Sequence, residues 1–366
     1  MSIKKLIEIS RFYGKNPEYV LAGGGNTSFK NEDVLYVKAS GFSLADVTDE
    51  SFVKMDRKAL AMIWEKTYPP SSGEREKEVL ADLMAARKQG EEQKRPSVEA
   101  LLHDIIPFSY VVHLHPALVN GLCCSKEGEK AAIEIFGDEM LWIPSIDPGY
   151  VLSSYVRDAM KDYFNRRKKQ VQIILLQNHG VFAGGHCENC INSIYNEIMS
   201  KIEFRINRKP DFKDEVRIKD SDIIQILKEL AGASALMQGS EVSAFVKNRE
   251  SFYPVSSAYT PDHIVYSGSD PLFIEENTAE VIRDEWKKHT ERTGKNPKII
   301  AVQNLGIFSA AATEKAASLA LELFKDTIKV AVYTESFGGS EFMTAEKIDF
   351  INNWEVERFR SSVSTK

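Results

Sequence analysis

His113 and His115, one residue apart, close the apolar run Tyr110-Val111-Val112. Alternate residues of a strand share a face, so this spacing lets two imidazoles grip one cation. A third histidine, His179, follows a second apolar run, Ile173-Ile174-Leu175-Leu176, within QNHG. Three neutral imidazoles suit zinc and leave a coordination position open for a substrate. Glu99 stands where a helical stretch begins, upstream of the HLHP cluster. Alone, such a glutamate merely opposes the helix dipole; beside three histidines it becomes a candidate base. His103 lies four residues on along the same helix face, either supporting that site or sitting at the surface.

A second set of residues is suited to an anion. GGGNTS at 23 to 28 lacks the spacing of a dinucleotide fingerprint and the Gly-Lys-Ser/Thr ending of a Walker loop. It supplies three permissive glycines followed by the donors Asn26, Thr27 and Ser28, the materials of a backbone cradle for an oxyanion. Ser40-Gly41 closes the strand-like run ending in KASG, and Ser97 precedes a helix whose first amides also favour anions. Together these sites can surround one phosphate, with Lys38 adding charge. Cys187 and Cys190 form CENC beside His186, but no second CxxC matches it. They read as helix residues facing neighbours.

The elements that must position these groups alternate. From Pro96 onward the pattern predicts helix (97 to 105), strand (109 to 114), helix (116 to 124), strand, helix (151 to 165), strand (171 to 177) and helix (187 to 205). That alternation argues for an α/β layered fold. Earlier, 34 to 41 reads as a strand and 51 to 66 as a helix, while the charge-rich 68 to 96 reads as a solvated helix-loop insertion. The charged, proline-containing stretch 201 to 220 marks a boundary, giving domains at 1 to 210 and 211 to 366. Residues 156 to 182 align without gaps on 282 to 308, matching Arg157/Arg283, Gln177/Gln303, Asn178/Asn304, Gly180/Gly306 and Phe182/Phe308. The C-terminal half is therefore a partial duplication, in which Leu305 takes the place of His179.

The chain has 366 residues, 43% of them hydrophobic, and a net charge of -6. Such a chain buries a real core, and with no basic patch it offers nothing to hold nucleic acid. The opening residues are too polar for a secretory segment, and no run of roughly 18 apolar residues suggests a membrane span. A reduced, cytoplasmic protein acting on a small molecule is expected.

In their order, GGGNTS, KASG, PSVE, HLHP and QNHG resemble the class II aldolase and adducin family, which includes L-fuculose-1-phosphate aldolase, rhamnulose-1-phosphate aldolase and L-ribulose-5-phosphate 4-epimerase. The resemblance runs from about residue 5 to 205 and implies a three-layer α/β/α fold with a central mixed or antiparallel sheet. It further implies that His113, His115 and His179 hold Zn2+ or another divalent metal. Glu99 would ligate the resting metal or act as acid/base, and Gly25, Asn26, Ser40, Gly41 and Ser97 would hold the substrate phosphate. Lys38 matches the lysine of the epimerase-type KPSG motif, although Ala39 replaces its proline. The implied reaction is retro-aldol cleavage of a ketose 1-phosphate to dihydroxyacetone phosphate and an aldehyde. Alternatives are a sugar-phosphate 4-epimerase, a dehydratase on the same metal, and a non-catalytic adducin-like interaction module. Ser97-Val98 stands where small aldolases have two serines, and the family's aldolase tyrosine is out of register after WIPSIDPGY, where Tyr150 lies nearby. The C-terminal half, with YTPDHIVYSGSDPLF, resembles the matching region of larger members that couple an aldolase to a dehydrogenase, although no GxGxxG follows a strand here. A homo-oligomer, dimer or tetramer, is the implied assembly.

Overall fold

The computed structural model describes residues 3 to 356. The chain forms two compact units: the first ends at Phe204, the second begins at Arg205, and the short segment Cys124–Gly128 belongs to the second.

In the first unit seven strands form one sheet: β1 (Asn26–Lys30), β2 (Val34–Lys38), β3 (Phe52–Asp56), β4 (Tyr110–Leu114), β5 (Met140–Ile143), β6 (Ile173–Leu176) and β7 (Gly180–Gly185). Their order is β3-β2-β1-β4-β7-β6-β5. Every neighbouring pair is antiparallel except β5 and β6. A parallel pair needs a crossover, and the helix Tyr150–Arg167 provides it. Helices cover both faces, giving the three-layer α/β/α arrangement. Ile3–Gly14 and Glu188–Glu203 lie against β1, β4 and β7, and the Tyr195 hydroxyl donates to Val112 O. Ala100–Ile105 and Tyr150–Arg167 pack against each other, in one core with Val111, Ile143, Ile174 and Phe182. With both faces covered, the polar strand β1, Asn-Thr-Ser-Phe-Lys, is buried at every residue.

Two local expectations are corrected. Residues 51 to 66 do not form one helix. Phe52–Asp56 pairs with β2, placing Val53 opposite Val37, and the helix is only Arg57–Ile63, capped by the Asp56 carboxylate on Lys58 N and Ala59 N. The β-prone Phe52-Val53 pair and a partner strand outweigh helical spacing there. Nor is 68 to 96 a solvated insertion. Its helix, Ser72–Ala85, buries Val79 and Leu83 against Leu35, Val37, Val53 and Met55. The same helix brings the Glu76 carboxylate to Tyr150 N, at 3.2 and 3.3 Å, at the start of Tyr150–Arg167. Gly149 sits at φ 107°, where a side chain is strained, and a Cβ there would lie 2.3 Å from Glu76 Oε2 and displace that carboxylate. Burial raises the Glu76 pKa, and the α-helix amide offsets part of that cost. The CENC pair also differs from expectation, since Cys187 and Cys190 are joined in a disulfide while Cys123 and Cys124 are buried thiols.

The second unit carries β8 (Val216–Ile218), β9 (Ala233–Gln238), β10 (Leu272–Ile274), β11 (Ile299–Val302) and β12 (Gly306–Ala311), in the order β10-β11-β12-β9-β8. Only β10 and β11 run parallel. This reproduces the order and directions of β5-β6-β7-β4-β1, with no counterpart of β2 or β3 among the described residues. The turns before β7 and β12 match in detail. Asn178 and Asn304 both sit at φ 58°, Gln177 N donates to Ile143 O, and Gln303 N to Ile274 O. No described helix is long and apolar enough to cross a membrane.

Because Leu83 is a core residue and not part of a solvated loop, Leu83→Ala should lower stability by about 2–4 kcal/mol. A shift in urea midpoint worth under about 0.5 kcal/mol would return the segment to the surface.

Candidate metal centre

β4 lies between β1 and β7, so His113 is enclosed on both sides, opposite Asn26 in one direction and Phe182 in the other. Its ring stacks on Phe182, with centroids 4.0 Å apart and planes at 11°. Its Nδ1 lies 3.1 Å from Val181 O, an atom that can only accept, so Nδ1 carries the hydrogen and Nε2 presents its lone pair to the site. His115 follows one residue past β4, its backbone held by Tyr19 O, with Nε2 2.9 Å from His113 Nε2. Gly180 makes that placement possible, because a Cβ there would meet Leu114 O at 2.5 Å and His115 Cδ2 at 2.7 Å. His179 enters from the turn between β6 and β7, where Asn178 takes a left-handed conformation and donates its N–H to Cys123 O. One ligand nitrogen from each of the three imidazoles lies within 4.8 Å of the others, and this is the sole such group of histidine, cysteine or acidic residues among those described.

Glu99 sits at the start of the helix Ala100–Ile105 and is 6% exposed. One carboxylate oxygen, Oε2, accepts from Asn26 Nδ2 at 2.5 Å. The other, Oε1, has no hydrogen-bond donor among the described residues and faces His113 Nε2 at 3.4 Å and His179 Nε2 at 3.7 Å. A buried carboxylate oxygen beside imidazole lone pairs is an electron-rich pocket that a divalent cation satisfies. Two nitrogens bound to one tetrahedral zinc stand roughly 3.3 Å apart, close to the His113 and His115 spacing. The donor set therefore fits such an ion.

The anion set is brought together in part by side chains and in part by backbone. Asn26 Nδ2 also reaches Ser97 Oγ at 3.3 Å, and Glu99 N donates to that same hydroxyl. The KASG and RPS segments run side by side through an Ala39–Pro96 bridge, with Ser40 N on Arg95 O and Ser97 N on Lys38 O. Lys38 Nζ donates to Phe42 O at 2.7 Å, closing the turn that contains Ser40 and Gly41, the latter at φ 90°. Gly25, at φ 65°, lies so close to β4 that a Cβ would come within 2.8 Å of His113 O.

His103 is fully buried, which removes its surface reading. Its ring bonds Asn26 Oδ1 through Nε2 and Ser28 Oγ through Nδ1. Burial, with His113 and the Lys30 and Lys38 amines nearby, holds its pKa well below the ordinary histidine value. Lys30 went unnoticed in the sequence. Its amine is buried and donates to His103 O at 2.5 Å, and burial pushes it down to about 7. The signal was a lysine ending a strand that never alternates.

Register assigns the second unit's counterparts. His113 lies opposite Phe182 and Leu236 opposite Phe308, so Leu236 stands for His113 and Gln238 for His115. Across the neighbouring strand, Ile218 stands for Asn26. With Leu305 in place of His179, the second unit has two leucines and a glutamine where the first has its three histidines.

The model of the class II aldolase and adducin N-terminal domain family matches residues 4–189. A Bacillus subtilis (strain 168) protein named uncharacterized oxidoreductase YuxG is 22% identical over 418 residues, covering 99% of this chain and 58% of that protein. The chain thus spans less than two thirds of that relative. Among solved structures, the N-terminal class II aldolase domain of a conserved Thermoplasma acidophilum protein is 26% identical, with a TM-score of 0.47 over 56% of this chain and 93% of that one. L-fuculose-1-phosphate aldolase from Thermus thermophilus is 17% identical, with a TM-score of 0.35 over 55% of this chain and 92% of its own.

The depressed Lys30 value carries a sign. Below about pH 7 both states carry the ammonium and its burial cost is fully felt. From there to about pH 10.4 the unfolded chain binds the proton and the folded chain does not, so stability rises with pH. Lys30→Met should therefore gain more at pH 6 than at pH 9, the advantage shrinking by about 2 kcal/mol. Urea midpoints that keep a constant gap between the two proteins would refute this.

Proposed function

The chain belongs to the class II aldolase and adducin family, and from that premise we propose that it is a zinc-dependent aldolase cleaving a ketose 1-phosphate to dihydroxyacetone phosphate and an aldehyde. The observation that carries this reading is the cluster of three imidazole nitrogens, two of which, from His113 and His179, face the unsatisfied Oε1 of Glu99. An interaction module gains nothing from a buried carboxylate oxygen left without a donor, which costs stability.

His113, His115 and His179 would hold the ion through ring nitrogens, three imidazoles favouring zinc over harder metals. When bound, the ion supplies Lewis-acid polarisation of the substrate carbonyl. Ser97 and Asn26 donate to substrate oxygens, while the backbone around Gly25, Ser40 and Gly41, steadied by Lys38, receives the phosphate. As the carbon-carbon bond breaks, the hydroxyl on the departing fragment gives up its proton and becomes the aldehyde carbonyl, while the bond's electron pair passes to the ketose fragment. Glu99 Oε1 would carry a proton to the carbon left behind, giving dihydroxyacetone phosphate, so that one proton leaves and one arrives. Asn26 Nδ2 keeps Oε2 occupied, so that proton traffic is confined to Oε1.

In this reading residues 1 to 210 are the catalytic domain. Residues 211 to 366 are a degenerate copy that serves packing or assembly, consistent with Leu236, Gln238, Leu305 and Ile218 at the positions corresponding to ligands and Asn26. The working form is a cytoplasmic homo-oligomer.

Purified protein should contain one zinc per chain, lost in the His113→Ala/His115→Ala variant, and a coupled assay should detect triose phosphate from rhamnulose or fuculose 1-phosphate. Zinc without triose phosphate would shift the reading to a 4-epimerase or dehydratase, and failure to take up any metal would leave the adducin-like scaffold. Glu99→Gln should keep zinc yet lower kcat by roughly 10²–10⁴-fold.

A further inference from the structure

We propose that His103 is a positioning residue that locks the Asn26 carboxamide so that its site-facing end is always a hydrogen-bond donor. The inference rests on the reading of Glu99 as the working carboxylate. Four side chains form one line into the site: Ser28, His103, Asn26 and Glu99. Their hydrogens can be placed from the chemistry of the atoms. Asn26 Oδ1 can only accept, so the His103 nitrogen it meets, Nε2, carries a hydrogen. In the neutral ring Nδ1 is then bare, and the Ser28 hydroxyl, 2.7 Å away, donates to it. The other end of the carboxamide must be Nδ2, which donates to Glu99 Oε2 at 2.5 Å and Ser97 Oγ at 3.3 Å. The reversed amide would set Oδ1 against a carboxylate oxygen at that short separation, lone pair facing lone pair.

His103 touches neither the histidine triad nor Glu99 by hydrogen bonding from its ring, so its effect passes through Asn26. It does two things. It holds Glu99 with Oε2 occupied and Oε1 directed at the imidazoles, and it leaves an N–H in place for an anionic substrate oxygen whenever Glu99 moves. A site wired in this way favours an oxyanion or carbonyl oxygen at that point over a hydroxyl hydrogen. Rigid packing makes the wiring possible, because the ring meets Phe182 edge-on with centroids 5.5 Å apart and has no exposed surface.

The first measurement needs no activity. Long-range proton-nitrogen NMR of 15N-histidine-labelled protein, with His103 assigned by its loss in His103→Leu, should show the Nε2–H tautomer; the Nδ1–H tautomer would overturn the proposal. The second measurement is zinc affinity. His103→Leu keeps all three imidazoles and should still bind one zinc, with Kd raised roughly 10-fold. His103→Gln, whose amide can donate to Asn26 Oδ1, should recover part of the loss. An unchanged Kd in folded His103→Leu would also overturn the proposal. If His103→Leu does not fold, assignment passes to His103→Gln and the wild-type tautomer decides. If the tautomer and the zinc shift hold but no ketose phosphate is cleaved, the positioning role survives and the aldolase reading falls.

Discussion

Burying the Glu99 carboxylate is the constraint around which the first unit is arranged. An ionised carboxylate taken out of water costs several kcal/mol unless donors or a cation replace its hydration. Asn26 satisfies Oε2, and Oε1 is left to the imidazole cluster. Every nearby departure from ordinary strand composition follows from that need. β1 is polar yet wholly buried because Asn26 must face Glu99 and Ser28 must face His103. Gly25 and Gly180 have no side chain because β4 and its histidines occupy the space a Cβ would take. The stabilisation for these choices comes from the apolar layers on either side, not from the site itself.

The second unit shows what the same chain path looks like without that constraint. It keeps the strand order, the parallel pair and the left-handed Asn304 turn. Leu236 and Ile218 then meet across the strand pair where His113 and Asn26 meet in the first unit. The missing part is informative too. Lys38, Ser40, Ser97 and Glu99 all belong to β2 or to the segments that follow β2 and β3, and neither strand has a counterpart in the five-stranded sheet. A copy that lacks the carboxylate gains nothing from buried imidazole and amide groups facing it, and an apolar pair is the cheaper filling where His113 and Asn26 stand in the first unit.

Much of this was legible in the residues. HLHP and QNHG each end an apolar run, so strand periodicity alone places His113, His115 and His179 at strand ends, and the repeat at 156 to 182 announces a second copy of the hairpin. Periodicity failed where tertiary pairing decided the outcome. Phe52–Asp56 has helix-compatible spacing but is a strand because β2 offers it a ladder. Ser72–Ala85 reads as solvated because its charge hides Val79 and Leu83, which are apolar at a spacing of one helical turn. His103 was ambiguous between core and surface for the same reason. Its neighbours in space, Asn26 and Ser28, lie far back in the sequence, and no local pattern records that distance.

The site is therefore a product of the completed fold and not of any one segment. Asn26, Glu99, His113 and His179 come from β1, a helix start, β4 and the turn before β7, and the Asn26–Glu99 bond alone spans a separation of 73 residues. Loop closures of that length cost entropy before any contact rewards them. A cation held by His113, His115 and His179 would bind the folded unit and find no comparable site in the unfolded chain, so its binding and the folding of this unit would be thermodynamically linked. The linkage also explains the division of labour between the helices. Tyr150–Arg167 and Glu188–Glu203 supply apolar burial that does not depend on a ligand. The short helix Ala100–Ile105 carries Glu99 at its start and His103 within its single turn and a half, so one rigid element sets the carboxylate and the residue that orients its donor. Moving either relative to the other would require bending that helix against β1 and β2, the contacts that fix it in place.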